Sequence, residues 1–203
     1  MLKAASRAAL GFRAHSGWAA LVVVAGSAST PVVIGRRRVE TADPRIRGSL
    51  QPYHAAKAMK LADAEAFLAG CAEATRKMAE TAIRAAVAES ASKGHTAAGA
   101  CILLGSGRAT TDLAATLRSH PMIHTAEGNF FRETLKIACD SCGLPVLGVK
   151  EKELAGQAAA ALGLSGDDLQ RRVAELGKSI GPPWTQDEKL CAIAAWLALS
   201  GVR

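Results

Sequence analysis

No stretch of this chain stays apolar for the roughly 18 residues that a bilayer crossing needs. The longest runs, residues 18–26 and 192–199, fall well short, so no membrane span is expected and the cytosol is the expected location. Aromatic residues are scarce at 4%. Trp18, Trp184 and Trp196 read as packing residues, which leaves little for stacking on nucleic-acid bases. The five cysteines are an odd number and several lie inside apolar patterns, which argues against a secreted disulfide framework. No internal repeat and no low-complexity tract occurs. The turn Gly105-Ser106-Gly107-Arg108 lacks the Lys-Ser/Thr ending of a P-loop and the spacing of a dinucleotide fingerprint. Acidic residues are also sparse at one end: residues 1–54 hold only Glu40 and Asp43 against eight Lys/Arg, a net +6 of the chain's +7.

That asymmetry implies a local basic surface, with Arg36, Arg37, Arg38, Arg45 and Arg47 as its core. Such a surface attracts DNA or RNA backbones, or an acidic protein partner, through a salt-sensitive and sequence-independent force. The plainer reading is a strand edge kept soluble by arginine. At 203 residues and 49% hydrophobic, the chain is expected to fold as one domain, 1–203, with a short lead-in at 1–9 and a Gly/Pro break at 177–184 before the last helix.

Three β-prone stretches, residues 10–15, 19–25 and 31–40, are separated by turn signals and predict an antiparallel meander. Alternation puts Arg37 on one face of the third strand and Arg36 and Arg38 on the other. Residues 53–92 contain no Pro and one Gly, which predicts a single long helix with Met59, Ala62, Ala66, Gly70, Ala74, Met78 and Ala82 as its apolar stripe. Residues 97–104 and 144–149 read as short buried parallel strands. Thr111 or Asp112 is placed to cap a helix that His120-Pro121 interrupts, and helix resumes over 126–142. Helices follow at 150–162, 166–176 and 185–199, the last amphipathic with a Thr185/Glu188 capping box. The fold class is therefore α/β: a mixed sheet of three antiparallel strands then two parallel ones, with helices on both faces.

This order resembles the ribonuclease H-like superfamily. Within it, LGFRAHSGWAALVV resembles the opening hairpin of RuvC-type Holliday-junction resolvases, with RuvX-type nucleases as second choice. KELAGQAAAALGLSGDDLQRRVAELG and QDEKLCAIAAWLAL resemble that family's last two helices. The resemblance implies a carboxylate cluster holding Mg²⁺: one acid in the first strand, one at the end of the fourth and two on the last helix. Here the first position is Arg13, the fourth strand runs acid-free into Gly105, Ser106 and Gly107, and the last helix offers Gln186 and Lys189, or, with a one-residue slip, Asp187 alone. The expectation is a degenerate, non-nucleolytic domain with no metal and no cofactor, binding nucleic acid or a protein partner.

Two alternatives stand beside it. Arg13, His15, Ser16 and Asp187 could serve a metal-independent hydrolase, with His15 as general base and Arg13 as electrostatic stabiliser. Arg13, His15 and the Gly105–Gly107 backbone would then bind the anion. Alternatively, the Ala-rich helices could pack against a copy of the chain as a homo-oligomeric scaffold. His120, His124 and Glu127 have metal-ligand side chains, but Pro121 is expected to break the turn between the imidazoles, which favours a loop-to-helix entrance capped by Thr125. Cys139 and Cys142 form a lone C-x-x-C at a helix end, the wrong end for a redox motif. Tyr53 and His54 read as a helix entrance bordering the cleft.

Overall fold

The computed structural model describes residues 6–107 and 111–201. Strands β1 (Ser6–His15), β2 (Trp18–Gly26) and β3 (Pro31–Glu40) form the antiparallel meander. Strands β4 (His95–Leu104) and β5 (Val146–Lys150) add in parallel, giving the order β3-β2-β1-β4-β5. Strand β1 starts at Ser6, so residues 6–9 of the expected lead-in are strand, Ala8 and Ala9 being buried on opposite faces of the sheet.

Alternation along β1 divides the core. Ala8, Leu10 and Phe12 face α2 (Leu61–Ser92) and α4 (His120–Ser141). Ala9 faces α5 (Leu154–Leu162), α6 (Gly166–Lys178) and α7 (Gln186–Leu199). Gly11 shares that second face, where a Cβ would stand 1.9 Å from the Cys191 carbonyl oxygen; α7 therefore rests directly on the β1 backbone. Residues 191–197 of α7 are buried on every side, between the sheet and α5 and α6. This corrects the expected amphipathic pattern: a helix sandwiched between two layers needs no polar face. Its capping box, Thr185 with Glu188, is present as expected.

Residues 53–92 form two helices, α1 (Pro52–Ala56) and α2, parted by a turn at 57–60. The buried face of α2 is Ala64, Leu68, Cys71, Thr75, Ala79, Ile83, Ala86 and Ser90, rather than the expected stripe; Met59, Ala62, Ala66 and Gly70 are exposed. With alanine all round the helix, several stripes have the right spacing, and contact with the sheet and α4 selects among them. A short helix α3 (Leu113–Arg118), capped by the Asp112 carboxylate, precedes α4. Helix α4 begins at His120, with Pro121 in its first turn, where a missing N–H is harmless. Thr125 thus lies inside α4 and is not its cap; its hydroxyl donates to the Pro121 carbonyl.

Candidate functional site

Because β1, β3, β4 and β5 all run one way, their carboxyl ends meet at one edge of the sheet. Helix α7 runs against them, so its N-terminus arrives at the same edge. In open α/β sheets this edge is where ligands bind. It gathers Arg13, His15, the β3–α1 loop, Gly105–Gly107, Glu151 and Asp187.

Arg13 is the centre of this edge. Its Nε and Nη2 donate to Glu151 Oε2 and Oε1 at 2.9 and 3.0 Å, a bidentate pair, and Nη1 donates to Asp187 Oδ1. Hydrogen bonding by Glu151 raises the Arg13 pKa; burial opposes this and Asp187 adds to it. Of the two alignments for the last helix, Asp187 is the residue that faces β1, while Gln186 is exposed. Glu151, in a 3-10 turn at Glu151–Glu153 directly after β5, went unnoticed in the sequence; an acid at a strand's carboxyl end was the available signal.

His15 stacks flat on Trp18, with ring centroids 4.1 Å apart, and the Arg38 guanidinium lies over the other face of Trp18 at 4.0 Å. His15 Nε2 sits 3.1 Å from Asp187 Oδ2 without the alignment of a hydrogen bond, and is buried there. Burial pushes the His15 pKa down, opposed by Asp187 and reinforced by Arg13. A general base needs an accessible nitrogen, and Nε2 is turned toward Asp187 instead. Ser16, in the β1–β2 turn, is exposed.

Arg13 and His15 both close on Asp187 at this edge. The large cavity, about 1020 Å³, opens beside it and is lined by Gly105 and Gly107 together with Ile102, Leu104, Phe130 and Arg132. The Arg132 guanidinium fills the space a Cβ would take on Gly105 or Gly128, so both glycines are cut to admit it. Among the described residues Arg132 has no ion pair, and burial lowers its pKa, with Glu151 opposing and Arg13 assisting. Arg132 is therefore a half-buried cation in a cleft. Arg108 lies outside the described residues.

The arginines of the basic stretch divide as alternation predicts, and two of them turn inward. Arg36 donates to the Gly181 and Pro182 carbonyls at 3.0 and 3.1 Å and to the Pro183 carbonyl, across the cis Pro182–Pro183 bond. Arg37, on the opposite face, pairs with Glu89 of α2. Arg38 pairs with Glu40, and Arg45 with Asp43, whose carboxyl the Arg45 side-chain hydrogen bonds hold down at about 2. Arg38, Arg45 and Arg47 remain exposed. Cys139 and Cys142 are unbridged, and burial pushes the Cys139 thiol up to about 12, which keeps it protonated and unreactive. Among the described residues no helix is long and apolar enough to cross a membrane.

No protein-family model matches this sequence, and no curated protein matches it. Solved structures do. The chain superposes on Thermus thermophilus RuvC in complex with a Holliday junction substrate with a TM-score of 0.56 over 96% of this chain and 94% of that one, at 10% identity. A second Thermus thermophilus RuvC structure gives 0.53, with 13% identity and 96% and 95% coverage. This is the RuvC fold. The ribonuclease H-like architecture expected from element order is thereby present over nearly the whole chain.

Proposed function

We propose that this chain is a nucleic-acid-binding domain of the RuvC fold that does not cut phosphodiesters by a carboxylate–metal mechanism. The observation that carries this reading is Arg13, which neutralises both Glu151 and Asp187 at the strand edge. A guanidinium bound to both carboxylates supplies the positive charge that a metal ion would otherwise bring, and repels one. Binding is supported by the RuvC complex with a junction, by the net charge of +7, and by exposed Arg38, Arg45 and Arg47 at the edge where Arg132 lines the cleft. The apolar cleft wall of Leu104 and Phe130 would take an unstacked base while Arg132 takes its phosphate.

The test is a fluorescence-anisotropy titration with a four-way junction and a duplex of equal length over a salt series, with a parallel cleavage assay in Mg²⁺. If four arginines meet phosphates, the log–log salt slope should be about −3.5, and Arg47→Ala should flatten it by about one. No binding at low salt removes the nucleic-acid reading. Mg²⁺-dependent cleavage lost in Asp187→Asn removes the non-nucleolytic one.

A further inference from the structure

Beside the cleft, and separate from the Arg13 cluster, three of the chain's five histidines meet. His54 comes from α1; His120 and His124 come from the first turns of α4, four residues apart on one face. Each offers one ring nitrogen such that the three lie within 4.8 Å of one another, and the Nε2 atoms of His120 and His124 are 3.0 Å apart. Two nitrogens on a tetrahedral zinc ion with Zn–N near 2.0–2.1 Å stand roughly 3.3 Å apart. The pair therefore needs only a few tenths of an ångström of opening to hold one ion.

A buried acid backs the cluster. Glu127 lies one turn along α4, 4% exposed; its Oε2 accepts from His54 Nδ1 at 3.0 Å and from the His54 backbone N–H at 3.2 Å. That bond places the His54 proton on Nδ1 and leaves Nε2 with its lone pair free, the arrangement by which a carboxylate orients a metal-binding imidazole. Glu127 Oε1 is buried without a hydrogen-bond partner.

We propose that His54, His120 and His124 bind one divalent transition-metal ion of the zinc class, with Glu127 positioning His54. Three neutral nitrogens suit Zn²⁺, Co²⁺ or Ni²⁺ and not Mg²⁺, which takes oxygen ligands. His120 and His124 are exposed and His54 is half-buried, so the fourth position faces solvent and takes water. The ion clamps α1 to α4 at the mouth of the cleft, whose wall includes Tyr53, Pro121 and Thr125 from the same two helices.

The experiment uses the full chain, stripped with chelator and dialysed, titrated with Co²⁺ by visible absorption and with Zn²⁺ by calorimetry. Cys142→Ser is the background, to exclude the half-buried thiol. One equivalent should bind with the spectrum of four- or five-coordinate Co²⁺, and Zn²⁺ should raise the melting temperature while Mg²⁺ leaves it unchanged. His124→Ala, at an exposed position that should not disturb folding, should abolish the Co²⁺ spectrum; Glu127→Gln should weaken binding about 10–100-fold. Absence of stoichiometric binding overturns the proposal. So does a site that survives His54→Ala in a protein that still melts cooperatively, since it would then be only a surface pair on α4. Nucleic-acid binding is measured separately, so failure here leaves the proposed function standing.

Discussion

Replacing Gly11 with alanine tests the contact on which the strand-edge site depends. The new Cβ would stand 1.9 Å from the Cys191 carbonyl oxygen and 2.7 Å from the Ala195 nitrogen, whereas real contacts essentially never fall under 3.0 Å. Both obstacles are helix backbone, so no side chain can rotate away; α7 must move by about 1 Å or β1 must bulge. Helix α7 is buried on all sides along 191–197, so a shift unpacks two layers at once. Overpacking of this kind costs about 3 kcal/mol or more. For a chain of this size that is a fall in melting temperature of roughly 6–12 °C. The control is Gly70→Ala on the exposed face of α2, where nothing lies within 4 Å; it should stabilise by about 0.5–1 kcal/mol. Thermal and urea melts followed by circular dichroism measure both. If Gly11→Ala melts within about 0.5 kcal/mol of the parent, α7 does not sit on β1, and the delivery of Asp187 to Arg13 loses its basis.

Other perturbations separate structural charge from functional charge. Arg36→Ala, which removes the donors to the carbonyls of residues 181–183, should destabilise by about 1.5–3 kcal/mol, whereas Arg47→Ala should leave urea stability within about 0.5 kcal/mol. Arg13→Ala leaves Glu151 and Asp187 as unneutralised neighbours. Discounted for partial exposure, the loss is about 1 kcal/mol near neutral pH, and it should shrink in acid as the carboxylates protonate; removing the Arg13 charge should also raise the His15 pKa in an NMR titration. In the parent, the His15 pKa lies below 6.5, so the unfolded state binds more protons in the interval beneath that value. The His15 contribution is thus complete above pH 6.5 and lost as pH falls through the folded pKa, a slope that His15→Gln should remove.

Much of the fold was legible because its signals are local. The three β-rich stretches, the acid-free turn after β4, the Gly/Pro break and the Thr185 capping box each depend on a few neighbouring residues, and each appears in the structure. The split of Arg37 from Arg36 and Arg38 follows from strand alternation alone. Expectations failed where alanine made the pattern degenerate: the buried stripe of α2 and the all-round burial of α7 are chosen by what packs against them. Pro121 misled in another way, since a proline breaks a helix interior but opens a helix.

The amino-acid sequence by itself determined the order of elements, the α/β class, the concentration of positive charge in residues 1–54 and the absence of an acid at Arg13 and across residues 103–107. Tertiary structure alone decided which side chains meet. Arg13 finds Glu151 from 138 residues away, His54 finds Glu127 from 73, and Arg132 enters a cleft through space left open by two glycines. These contacts are set by parallel strands ending at a common edge and by helices seated on their backbones. Such geometry arises from packing between distant segments, which no local pattern of residues encodes.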